Sequence, residues 1–528
     1  MNGVEEMTTA RRVLAGDDYA ALRRDFRWDL PARLNMAREV CDDWAEAAPE
    51  RTAIIDLSDG AARVTTYGEL QALSRRVEAW LRTQDVTRGD RVGVLLSQGA
   101  LCAAAHIAAW RMGAISVPLF KLFKQGALHS RLDDAGAKAV ITDAGGRELL
   151  AGFDLVAGIE ADLPATGMTE APAETGPEDP AVLIYTSGTT GKPKGALHGH
   201  RVLRGHLPGV EMSHDLLGQP GDVLWTPADW AWIGGLFDVA MPALCLGVPV
   251  VAARLAKFDA EACQHIVREG GVRNVFFPPT ALRMLKAADA TLPGLRSVAS
   301  GGEPLGAEML AWGREALGVT INEFYGQTEC NMVASSSNAL FAPRPGCIGK
   351  PVPGHEVAVI DAEGRETDGE GDVAVRRGSA SMLLEYWNNP YATAEKFRGD
   401  WLVTGDRGVF DGDGYLRFVG REDDVITSGG YRIGPAEIED CLLTHPAVAT
   451  VGVVGKPDAL RTEIVKAYVV LKPGVAATPG DLQEWVKERL ASYSYPREIS
   501  FLDELPMTVT GKVIRKELKA RAAEETGA

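Results

Sequence analysis

The chain has 528 residues, with 55 Lys plus Arg against 72 Asp plus Glu, a net charge of −17, 46% apolar and 24% charged residues. That length forms more than one domain around an ample core, and the balance is that of an ordinary soluble globular protein. The acidic surface repels nucleic acid and anionic membranes, so neither is an expected partner, and an anion site must be built from local lysines, arginines and backbone amides.

In chain order, residues 1–16 lack the apolar core of a secretory signal, and no later stretch is long and apolar enough to read as a membrane span. The seven cysteines (Cys41, Cys102, Cys245, Cys263, Cys330, Cys347 and Cys441) are scattered without a CxxC pair. A disulfide framework or zinc cluster is therefore not expected, and a cytoplasmic enzyme is.

Residues 66–84 carry apolar positions at helical spacing, followed by a short buried strand over 91–96. Helix over 101–111 and strands over 114–119 and 139–142 continue the alternation, which predicts an α/β domain with a largely parallel sheet. The stretch 164–180 reads as a surface connection. Strands are then expected over 222–226, 248–252, 275–277 and 297–299, with helices over 260–269 and 280–288. Short strands over 356–361, 371–376 and 415–419, separated by Gly/Asp turns, predict a β-rich subdomain. A smaller α+β unit follows: helix 435–443, strands 448–454 and 466–471, helix 479–490. The charged connector Gly420-Arg421-Glu422-Asp423-Asp424 divides a large domain, 1–422, from a small one, 423–528, with the hinge near 421–424.

Chemistry concentrates first at Tyr185 to Gly195, Tyr-Thr-Ser-Gly-Thr-Thr-Gly-Lys-Pro-Lys-Gly, directly after the apolar run Ala181–Ile184. Glycine lets backbone N–H groups approach polyphosphate oxygens, hydroxyls donate further bonds and lysine offsets charge. It is not a Walker A loop. Two residues rather than four separate Gly188 from Gly191, and Pro193 follows Lys192. The histidines at 198, 200, 206 and 214 have no cysteine or second pair to complete a metal site and read as packing or hydrogen-bonding residues.

Six further motifs follow in order: Gly302-Glu303-Pro304, Tyr325-Gly326-Gln327-Thr328-Glu329, Thr404-Gly405-Asp406, Gly420 to Asp424, Gly430-Tyr431-Arg432-Ile433-Gly434 and Thr510-Gly511-Lys512. With the phosphate loop, this set resembles the adenylate-forming (AMP-binding) superfamily, in its branch of acyl-CoA synthetases related to medium-chain and acetyl-CoA enzymes. The resemblance implies an acid–thiol ligase with ATP and coenzyme A as substrates, Mg²⁺ as cofactor and a carboxylic acid as partner. It places ATP phosphates at Thr186, Ser187, Gly188, Thr189, Thr190, Lys192, Thr328 and Arg432. Adenine and ribose fall to Gly302, Glu303, Pro304, Tyr325, Asp406 and Arg421. Glu329 is implied as the metal ligand, since Mg²⁺ prefers oxygen and keeps several waters. Gly430 and Tyr431 would line the coenzyme A channel, and Asp423 would be the hinge of a mobile C-terminal domain.

Lys512 is implied as the catalytic lysine that reaches the α-phosphate. A carboxylic acid is already ionised at neutral pH, with a pKa of roughly 4, so no general base is needed. Catalysis reduces to positioning and to neutralising charge on the reacting phosphate. The resemblance sets Trp232, Ile233, Gly234, Gly301 and Gly326 around the acyl group. Three glycines there predict extra pocket volume and an acid longer than acetate: medium-chain, branched or aromatic. The alternatives are a short-chain ligase, an enzyme that loads a carrier protein, and a non-catalytic nucleotide binder.

Overall fold

The structure is a computed structural model that describes residues 3–58, 60–186, 193–255, 258–421, 424–428, 431–458, 461–490, 494–508 and 512–525. Among these residues the strands form four sheets. The first runs from Lys350–Pro351 through Cys330–Ser335, Ile321–Gln327, Ser297–Gly301, Asn274–Phe276, Leu224–Trp225, Val250–Ala252 and Thr52–Asp56 to Arg63–Thr66. Its interior is parallel and its edges are antiparallel. The second runs from Glu385–Tyr386 through Lys194–Gly199, Pro180–Thr186, Ile115–Pro118, Arg91–Leu95 and Ala137–Thr142 to Val156–Gly158. Strands buried on both faces read as continuous apolar runs, which made Arg91–Leu95, Ile115–Pro118, Ala137–Thr142, Val250–Ala252, Asn274–Phe276 and Ser297–Gly301 visible in the sequence.

The helices Ala100–Arg111 and Val202–Ser213 share one apolar core with both sheets. A helix without a polar face belongs inside. The first is tied down by its last residue. Arg111 is fully buried, its Nε donates to Glu78 Oε2 at 2.8 Å, and a second nitrogen pairs with Asp42. The helix Tyr67–Thr83 that carries Glu78 starts from a capping box between Thr66 and Glu69.

The third sheet is antiparallel and joins Val357–Ile360, Gly371–Arg376, Trp401–Phe410, Phe397–Arg398 and Leu416–Arg421. The fourth, Tyr431–Ile433, Ile426–Ser428, Thr462–Leu471, Val448–Asp458 and Glu498–Phe501, has its own core against the helices Pro435–Leu443, Pro479–Lys487 and Arg515–Glu524. The architecture is thus α/β, with a large N-terminal part that includes a β-rich sheet and a small α+β C-terminal unit. Residues 422 and 423, where the domain boundary and hinge were expected, lie outside the described residues.

Three differences from the sequence reading have physical causes. The helix Val202–Ser213 was not foreseen because it contains Gly205, Pro208 and Gly209, all poor helix formers. Its glycines permit contact: a Cβ on Gly205 would stand 2.1 Å from the Ser381 amide nitrogen, and one on Gly209 would stand 2.3 Å from Met332 Cβ. The hairpin strands Ile321–Gln327 and Cys330–Ser335 were hidden because they carry polar site residues. The segments Arg38–Asp42, Leu236–Ala240 and Gly313–Leu317 are π-helical turns, a widening with no sequence signature.

Candidate active site

Side-chain hydrogen bonds from the strand Ile321–Gln327 tie the first sheet to Trp401–Phe410 of the third. Tyr325, near the end of Ile321–Gln327, donates its hydroxyl to Asp406 Oδ2 at 2.5 Å. Burial, then Asp406, pushes the tyrosine hydroxyl well above its ordinary pKa, so it remains a donor. Two residues along the same strand, Gln327 Nε2 donates to the Thr404 carbonyl at 3.0 Å. Gly405, between Thr404 and Asp406, has φ +79°, and Asp406 N donates to Thr404 Oγ1 at 3.2 Å. That turn fixes the carboxylate. Arg421 faces Asp406 across the antiparallel register, with Nη1 3.9 Å from Oδ1.

Glu329 lies beside this pair. Tyr386 Oη donates to its Oε1, and Lys194 stands over the Tyr386 ring at 5.4 Å. Lys396, at the end of Pro390–Glu395, reaches the Thr404 carbonyl with Nζ at 3.4 Å. Its ammonium pKa is lowered, mainly by burial and further by Arg421 and Lys194, while Glu329 and Asp406 oppose the shift. Lys396 borders an open cavity of about 370 Å³ with Thr404, Gly405 and Arg421. Sequence reading missed it, because it belongs to none of the motifs.

Gly302 and Glu303 follow directly on the strand Ser297–Gly301. Glu303 accepts from Thr280 Oγ1 at 3.0 Å and from Arg283 Nη2 at 2.9 Å. Gly302 has φ +91°, and Pro304 continues the loop into the helix Ala307–Trp312. Lys512 arrives from the C-terminal unit. Its Nζ is 3.8 Å from the point where a Cβ on Gly302 would stand. The residue is exposed to solvent, and the protein gathered around its ammonium lowers its pKa by desolvation. Glu303 and Asp406 oppose the shift, and Arg421 adds to it. Gly302, Glu303, Asp406 and Arg421, from remote parts of the chain, therefore come within reach of the Lys512 ammonium.

A carboxylate such as Glu329, with one oxygen bonded to Tyr386, fits the sparse oxygen donor set that Mg²⁺ takes beside phosphates and water. Among the described residues no group of three His, Cys, Asp or Glu gathers to hold a metal by protein ligands alone. The histidines at 198, 200, 206 and 214 are buried, and burial lowers the pKa of each.

Thr186 ends the strand Pro180–Thr186, while Ser187, Gly188, Thr189, Thr190 and Lys192 lie outside the described residues. Asp423 and Gly430 lie outside them too. Tyr431 and Arg432 are placed only as backbone in Tyr431–Ile433. Thr328 forms the hairpin turn with Glu329.

Around the expected acyl group, Trp232 packs on Phe120 and Phe123, with ring centroids at 5.5 and 5.9 Å. Ile233 and Gly234 begin the turn that follows. The inference of extra volume beside the glycines does not hold. A Cβ on Gly301 would stand 2.6 Å from the Phe324 ring, one on Gly234 3.3 Å from Phe276, and one on Gly326 2.0 Å from Asn331 Oδ1. Protein atoms already fill that space.

The family model for the AMP-binding enzyme matches residues 41–387, and that for the AMP-binding enzyme C-terminal domain matches 437–512. Acetyl-coenzyme A synthetase of Bacillus subtilis is 33% identical over 95% of this chain and 93% of its own. The anthranilate CoA ligase AuaEII, solved with anthranoyl-AMP, superposes with a TM-score of 0.85 at 27% identity, over 95% of this chain and 99% of that one. MatB from Rhodopseudomonas palustris, with ATP bound, gives 0.83 at 26% identity; its apo form gives 0.75 at 27%. Both cover 92% of this chain and 98% of that one. No described helix is long and apolar enough to cross a membrane.

Proposed function

The chain belongs to the AMP-binding enzyme family, and from that premise we propose how its cleft joins a carboxylic acid to coenzyme A. It is an AMP-forming acyl-CoA synthetase. In the first half-reaction a carboxylate oxygen attacks the α-phosphorus of ATP, the bond to the β-phosphate oxygen breaks, and pyrophosphate leaves. In the second, the coenzyme A sulfur attacks the acyl carbonyl, its proton passes to solvent, and AMP leaves.

Asp406, oriented by Tyr325 and the Gly405 turn, accepts the ribose hydroxyls, with Arg421 at its side. Gly302 to Pro304 flank the adenine. Thr186, Ser187, Gly188, Thr189, Thr190, Lys192, Thr328 and Arg432 take the phosphates. Glu329 would hold Mg²⁺, which would supply positive charge to the triphosphate. The attacking acid is already ionised, so Lys512 moves no proton; it neutralises charge that builds on the α-phosphate in the transition state.

One observation carries this reading: the Lys512 ammonium stands at Gly302, in the cleft that Glu303, Asp406 and Arg421 share. A cation there blocks the approach a thiol would need, so the C-terminal unit has to move between the two steps. The likeness to MatB is higher for the ATP-bound form than for the apo form, which supports an arrangement suited to adenylation. Gly430 and Tyr431 line the thiol's path after that movement, about a hinge at Asp423.

For the acid, Trp232, Phe120, Phe123, Phe276 and Phe324 offer an apolar, largely aromatic surround with its glycine-lined gaps filled. This favours a compact acid, branched or single-ringed, over a long straight chain. Pyrophosphate release is to be measured across acids from acetate to decanoate, with branched acids and benzoate, followed by thioester formation with free coenzyme A. Decanoate turned over better than every compact acid contradicts the acid assignment. Transfer to a carrier protein but not to free coenzyme A contradicts the acceptor.

A further inference from the structure

Gly326 faces an irregularity in its own hairpin. Tyr325 pairs with Ala334 and Gln327 pairs with Cys330, so a single residue, Gly326, lies opposite three, Asn331 to Val333. A bulge of this kind re-aims a side chain and is found beside active sites. Met332, in its middle, has φ +36°, a strained value for a residue with a side chain. The consequence is that Asn331 folds back over Gly326. A Cβ at 326 would stand 2.0 Å from Asn331 Oδ1 and 2.8 Å from both the Asn331 Cα and the Met332 nitrogen. Gly326 is therefore glycine because Asn331 needs the space.

Asn331 is held there. Its Nδ2 donates to both oxygens of Asp238, each at 2.8 Å. Asp238 belongs to the π-helical turn Leu236–Ala240 and is buried. Burial drives its carboxyl well above the ordinary range, with the Asn331 bond opposing. His206 Nε2 is 3.8 Å from Asp238 Oδ1 and has no hydrogen-bond partner among the described residues. Asp238 also reaches the other glycine wall, where a Cβ on Gly234 would stand 3.6 Å from its Oδ2. One amide–carboxyl pair thus spans the gap between Gly326 and Gly234.

We propose that Asn331, locked by Asp238, closes the acyl chamber and sets the length of the acid this enzyme accepts. This rests on the reading of Gly234 and Gly326 as the border of the acyl group. An alkyl chain that extended past the glycines would have to displace the amide and strip a buried carboxyl of its partner, which no methylene contact replaces. Asn331 is a specificity residue for the acid; it takes no part in the phosphate chemistry.

The test is the acid profile of Asn331→Gly and of Asn331→Ala, which keeps a Cβ should the glycine variant fold poorly. Asp238→Asn serves as a variant that loosens the lock without shortening Asn331. Pyrophosphate release is measured with acetate, butyrate, hexanoate and octanoate. The expected result is that kcat/KM for octanoate relative to butyrate rises at least tenfold in both Asn331 variants and less in Asp238→Asn, with KM for ATP unchanged. A purely structural role would lower all acids together and leave the ratio where it was. An unchanged ratio in both Asn331 variants overturns the proposal. If the unmodified enzyme releases pyrophosphate with no acid at all, the reading of the site fails, and the proposal with it.

Discussion

The ammonium of Lys512 lies 3.8 Å from the point a Cβ on Gly302 would occupy, so a residue sixteen places from the C-terminus completes a wall built near residue 302. Its desolvation there has a pH consequence. Only the charged form neutralises phosphate, and its pKa is lowered from the ordinary value of 10.5. With pKa depressed, the charged fraction is lost as pH rises at values where a free lysine would stay protonated. The kcat/KM for ATP in pyrophosphate release, which reports the free enzyme, should therefore decline on the alkaline side below the range of an ordinary lysine. Lys512→Arg, charged throughout that range, should move this limb upward even if it lowers the plateau. An identical alkaline limb in Lys512→Arg assigns it to another group.

Lys396 belongs to the large N-terminal part of the chain, unlike Lys512. Its Nζ lies 3.4 Å from the Thr404 carbonyl, and Glu329 and Asp406 both act on its charge. Loss of one partly buried charge contact to phosphate is worth about 1.5–3 kcal/mol, or roughly 10- to 100-fold. Lys396→Met, which keeps the aliphatic stem, should raise KM for ATP within that range, and Lys396→Arg should restore most of it. Equal KM values for all three proteins would remove Lys396 from the nucleotide site.

The scaffold has a separate weak point. Arg111, fully buried, pairs with both Glu78 and Asp42. Removing the shared cation leaves two carboxylates without it in the core, a loss of about 3–5 kcal/mol. Arg111→Met should show that loss in denaturant unfolding, if unfolding is reversible, with the slope unchanged. A loss under 1 kcal/mol would mean the carboxylates find protons or other partners.

Much of this fold was legible because its parallel strands are buried on both sides. Arg91–Leu95 and Ala137–Thr142 announce themselves as apolar runs, and Tyr67–Thr83 by apolar positions at helical spacing. The strands nearest the chemistry did not. Ile321–Gln327 carries Asn322, Glu323, Tyr325 and Gln327, which break any simple apolar alternation. Resemblance singled out Asp406 and Lys512, but no sequence rule brings residues 302, 406 and 512 to one point. The glycines misled for a related reason. A missing side chain leaves room, and the sequence does not say whether a substrate or a neighbour such as Phe324 or Asn331 takes it. Lys396 was missed because a lysine after Pro390–Glu395 looks like any helix-end lysine on a surface.

Under the proposed function, Lys512 serves one half-reaction and must leave for the other. The direct measurement separates them in Lys512→Ala: acid-dependent pyrophosphate release on one side, and thioester formation from supplied acyl-adenylate and coenzyme A on the other. Pyrophosphate release should fall by roughly 10²–10³, as for loss of one preorganised charge contact, while thioester formation stays near the unmodified rate. Loss of both to the same degree would contradict a C-terminal unit that alternates between two tasks.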